Sequence, residues 1–95
     1  MKMSEFTCSA NTPVKIGSVD DAGSNLYFIN AKDYGMIGMF GCNVSGTSVG
    51  QITTIFKNCI YDNFELSLDS TGLYLTSNSN NIFSVLTFGN IYSLY

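Results

Sequence analysis

The chain has 95 residues and a net charge of -3, with hydrophobic residues at 45%, charged residues at 12% and no histidine. It is too apolar to stay disordered and short enough for one core, and its four scattered lysines, with no arginine, form no stripe to neutralise phosphates. Nucleic acid is therefore not an expected partner, and the missing histidine removes the commonest general base together with the Ser and Cys hydrolases that need one.

No stretch of a dozen residues carries the 3.6-residue period of an amphipathic helix, whereas strand-length apolar runs broken by Gly, Asn, Asp and Ser recur throughout. The expected fold is all-β: a small antiparallel sandwich, jelly roll or barrel of seven to eight short strands, with residues 1–95 forming one β-domain. The opening Met1-Lys2-Met3-Ser4-Glu5-Phe6-Thr7 lacks the apolar core of a secretory signal, and no apolar run is long enough to span a bilayer. Synthesis in the cytoplasm and no membrane partner are expected. Strands are predicted at 12–16, 25–29, 34–40 and 51–56, joined by polar, Gly-rich links at 17–24 and 41–50. Within this region Gly35, Gly38 and Gly41 recur every third residue but match neither a dinucleotide nor a P-loop pattern, and are read as places where a strand bends or another backbone comes close.

The clearest element is Phe64-Glu65-Leu66-Ser67-Leu68, which alternates apolar and polar as a half-buried strand does. Asp69-Ser70-Thr71-Gly72 reads as a type I turn, returning the chain through Leu73-Tyr74-Leu75-Thr76. Residues 77–81 make the next turn and 82–88 the next strand. Gly89-Asn90 then suits a two-residue hairpin loop that sets Phe88 opposite Ile91, Thr87 opposite Tyr92 and Val85 opposite Leu94. Both faces of that hairpin are apolar, while a two-layer sandwich covers one face of each sheet. The face bearing Val85, Tyr92 and Leu94 is accordingly predicted to meet another subunit.

Residues suited to chemistry are few. Cys8, Cys42 and Cys59 are odd in number and lack metal-ligand spacing, so they are expected as buried thiols, and no metal or cofactor is implied. The carboxylate pairs Asp20/Asp21 and Asp62/Glu65 are read as solvated side chains rather than an acid–base couple. No catalytic residue is assigned and the chain is expected not to be an enzyme. Tyrosines offer a ring with a polar tip, suited to stacking on sugars or to interfaces, and Tyr27, Tyr34 and Tyr61 are the candidate ligand contacts.

From Gly50 onward the chain resembles the C-terminal β-domain of bacteriophage and prophage tail-fibre and tailspike proteins. The resemblance is carried by Gly50-Gln51-Ile52-Thr53-Thr54-Ile55-Phe56-Lys57-Asn58 and by Ser84-Val85-Leu86-Thr87-Phe88-Gly89-Asn90-Ile91-Tyr92-Ser93-Leu94, and more weakly by Asn11-Thr12-Pro13-Val14 and Asn25-Leu26-Tyr27-Phe28. It implies a virion-associated structural domain, a homo-oligomer of three copies, and attachment to a bacterial surface glycan or to other virion proteins. A stand-alone carbohydrate-binding module is the alternative reading.

Overall fold

The structure, a computed structural model, describes residues 2–17, 23–44 and 50–89, and every regular element within them is a strand. In chain order these are β1 (Lys2–Cys8), β2 (Val14–Gly17), β3 (Gly23–Ala31), β4 (Met36–Val44), β5 (Gly50–Cys59), β6 (Phe64–Asp69), β7 (Gly72–Ser77) and β8 (Asn81–Gly89). A five-stranded antiparallel sheet, β1-β8-β3-β4-β5, stacks on a three-stranded one, β2-β7-β6. The fold is thus all-β, as expected, and of the sandwich, jelly roll or barrel that the sequence left open it is a small sandwich of two antiparallel sheets.

Two elements depart from expectation. Strand β1 was not predicted, because Lys2–Cys8 is a weak strand by composition; its pairing with β8, from Lys2↔Thr87 to Cys8↔Asn81, comes from the far end of the chain. Strand β4 runs on to Val44, past Gly41 and Asn43, because ladders to β3 and β5 hold it from both sides. The hairpin expected beyond Gly89, with its return strand in residues 90–95, lies outside the described residues.

Alternation along the strands builds the core. Cys8, Tyr27, Ile29, Met36, Phe40, Cys42, Phe83 and Val85 point inward from the larger sheet, and Ile16, Phe64, Leu73 and Leu75 meet them from the smaller. Phe64 joins the two layers, its ring centroid 5.8 Å from that of Phe40 and 5.5 Å from that of Phe83. Cys8 and Cys42 are buried free thiols, and burial pushes their pKa up. Cys59 departs from the expected burial: it is a free thiol only partly covered at the end of the edge strand β5.

The hairpin of β6 and β7 has the predicted turn, with Asp69 paired to Gly72. One carboxylate oxygen of Asp69 accepts hydrogen bonds from the Thr71 hydroxyl (2.6 Å), the Thr71 N–H (2.7 Å) and the Gly72 N–H (3.1 Å). The Thr71 side-chain bond first, then its backbone bond, hold the Asp69 carboxyl below its ordinary range, with Lys15 adding a smaller push in the same direction. A carboxylate with a depressed folded-state pKa stabilises the fold above its unfolded pKa, and the benefit goes as pH falls through the folded value. The stability difference between wild type and Asp69→Asn, read from urea midpoints, should therefore be constant above about pH 5 and shrink below about 3.9, the ordinary aspartate value. A difference independent of pH would show that this carboxylate does not favour its charged form.

Candidate functional site

The structure scatters the predicted site residues. Val85 is 1% exposed, paired to Ser4 and Ile29, and sits in the core, so it is withdrawn from the subunit contact. Counting the hairpin register separates two faces without saying which is inside; the smaller sheet lies on the Val85 side and leaves Leu86 and Phe88 outside. Tyr92 and Leu94 lie outside the described residues. Tyr27, 2% exposed, is also a core residue and not a ligand contact. Its hydroxyl lies so close to Gly17 that a Cβ there would stand 2.9 Å from it.

Tyr34 and Tyr61 are brought to one end of the sandwich. Tyr34 and Gly35 both have positive φ, 67° and 58°, so two left-handed residues in succession bring the chain from β3 into β4. The Gly35 carbonyl accepts the Ile60 N–H at 3.1 Å, which sets the 60–63 turn beside it. Tyr34 is 51% exposed and Tyr61 82%. Asparagine side chains tie the turns at this end together. The Asn80 Oδ1 accepts Ala10 N–H (2.8 Å), the Asn78 Oδ1 accepts Asn63 N–H (3.0 Å), and Asn81 both accepts Asp33 N–H (3.2 Å) and donates to the Asp33 carbonyl (2.8 Å). A shallow hollow of about 380 Å³ beside Tyr61 is lined by Lys57, Cys59, Ile60, Asp62, Asn63 and Asn78.

A second surface was not singled out from the sequence. The outward side of the smaller sheet is polar, carrying Lys15, Glu65, Ser67, Tyr74 and Thr76, as a wet face should. The outward side of the larger sheet is different. Its ladders align Met3, Leu86, Phe28, Met39 and Phe56 in one row across all five strands. A neighbouring row holds Phe88, Leu26, Gly41 and Thr53. Met3 is 69% exposed, and Leu26, Phe56 and Phe88 are each 40% to 42% exposed. Phe28 and Phe56 meet edge to face, centroids 6.3 Å apart, across the Met39 strand between them. Gly41 has no atom near where a Cβ would stand, and a hollow of about 330 Å³ opens there between Leu26, Thr53 and Phe88.

The signal for this face was present in β3 and β4. Leu26-Tyr27-Phe28-Ile29 and Met36-Ile37-Gly38-Met39-Phe40 are apolar at both odd and even positions, the pattern of a strand covered on two sides. Among the described residues no cluster of three His, Cys, Asp or Glu side chains is placed to hold a metal ion.

No protein-family model and no curated protein matches the sequence. Among solved structures, the tailspike protein of the Acinetobacter phage vB_ApiP_P1 is similar, with a TM-score of 0.64 and 14% identity over 93% of this chain. The match covers 21% of that protein, so this chain spans about a fifth of its length. At that identity the likeness is one of fold.

Proposed function

We propose that this chain is a non-enzymatic β-module of a phage virion, of the tail-fibre or tailspike kind, which associates with copies of itself and contributes to host-surface attachment or particle decoration. The observation that carries the reading is that nearly the whole chain superposes on one segment of a tailspike. The tail-fibre resemblance from Gly50 onward agrees with it and implies three copies, with a bacterial surface glycan or other virion proteins as further partners. Native mass spectrometry of the purified chain, together with binding of the labelled chain to host cells, tests the proposal. A trimer that adheres to cells supports it; a monomer that binds no cells overturns it.

The carbohydrate-binding module remains a second reading because of one observation, the exposed Tyr34 and Tyr61 at the asparagine-tied end. A tyrosine ring with a wet tip suits the mixed apolar and hydroxyl faces of a sugar. A monomer that binds a defined glycan on an array, and loses it in Tyr61→Ala, would favour this reading over the first.

A further inference from the structure

We propose that the outward face of the five-stranded sheet is the surface on which one copy of the chain meets another. The proposal rests on the self-association in the function proposed above and names the surface that performs it. Contiguous exposed apolar surface is uncommon on a monomer and marks a contact site when it is large. Here the apolar row crosses all five strands, whereas the outward face of the smaller sheet is polar.

Charge and area select a second copy as the occupant. The chain carries a net charge of -3, so two copies approach best where charge is missing. Among the described charged residues only Glu5 points out from this face, opposite Ser84 and away from the Leu26 and Phe88 end. A partner of opposite charge would find nothing there to pair with, while the face is compatible with itself. Five strands at about 4.8 Å spacing give a width of about 24 Å, and the nine residues of β3 at about 3.3 Å give a length of about 30 Å. That is on the order of 700 Å², close to the roughly 800 Å² per partner of a standard stable interface. The layout also fits: Met3, Leu86, Phe28, Met39, Phe56 and Leu26 form an apolar centre, and Thr7, Asn30, Asn58 and Gln51, with Glu5 the one described charge among them, form a polar rim. The hollow at Gly41 is a place for a side chain of the facing copy to enter.

The test uses the full chain at micromolar concentration. Analytical ultracentrifugation should show an oligomer for wild type and for Tyr61→Asp, which lies at the end of the sandwich, but a monomer with an unchanged far-ultraviolet spectrum for Phe88→Asp and for Phe56→Asp. Methionine oxidation by dilute peroxide gives a readout without substitution. Met3 and Met39 should oxidise several-fold more slowly in the associated protein than after dilution to monomer, while the core residue Met36, 2% exposed, stays protected in both. A wild-type monomer at micromolar concentration overturns this surface and the self-association together. An oligomer in which Met3 and Met39 oxidise as fast as in the monomer, or in which the folded variants keep the wild-type size, overturns the surface alone.

Discussion

Phe64→Ala is expected to cost about 3–5 kcal/mol, the range for removing a buried aromatic ring, and to lower the melting temperature by well over 10 °C, since about 1 kcal/mol shifts a domain of this size by roughly 4–8 °C. Phe64 is 1% exposed and is the ring through which the smaller sheet grips the larger one, contacting Phe40 and Phe83. Its loss leaves a cavity between two sheets, whose hydrogen-bonded ladders cannot shift singly to fill it. The Lys57 ammonium, 5.3 Å from the ring centroid, would lose a cation–π contact as well. Domains of this kind hold about 5–15 kcal/mol in total, so the variant should sit near the edge of folding at 37 °C. Thermal melts followed by circular dichroism check this; a shift below about 4 °C, equivalent to less than about 1 kcal/mol, would mean that Phe64 does not hold the layers together.

The second large effect is expected at Gly38, with Gly41 on the same strand as its control. A Cβ on Gly38 would lie 2.7 Å from Phe40 Cε2, 2.9 Å from Phe40 Cζ and 3.2 Å from the Phe56 carbonyl oxygen. Phe40 is 3% exposed and held against Phe64, so its ring has little room to retreat. Gly38→Ala should destabilise by about 1–3 kcal/mol, as overpacked core positions do. Gly41→Ala meets no atom within 4 Å and exchanges a poor strand residue for a better one, so its melting temperature should stay level or rise. Equal effects at the two positions would show that backbone freedom, and not the space beside Phe40, explains Gly38.

Much of the fold was legible because the signals that encode it are local. The β6–β7 hairpin could be read from its alternation and from the Asp69-to-Gly72 turn, both of which act within a few residues. The turn at 77–81 and the strand after it were equally plain, since asparagine side chains serve nearby backbone there: Asn81 Oδ1 accepts its neighbour Ile82 N–H at 2.8 Å. Strand β1 was not legible, because its partner β8 stands some eighty residues along the chain and the segment is a weak strand without it. The candidate site divides in the same way. That some β8 face would be left apolar and uncovered followed from Val85, Leu86 and Phe88 in sequence, but the wrong side was assigned to the outside.

The sequence by itself determined that this protein is all-β, that it lacks a histidine-based catalytic group, and that its strands carry more apolar faces than two layers can hide. These are properties of composition and of a two-residue period, which any segment carries alone. Only the tertiary structure decided which faces are hidden. The period separates odd from even positions but gives neither set a sign; the sign comes from where the three-stranded sheet stacks. It stacks on the Val85, Tyr27 and Phe40 side, turning those residues into core. The same choice leaves Met3, Phe28, Met39, Phe56 and Leu86 in one row on the open side, residues from five strands that become neighbours only when the long-range ladders form.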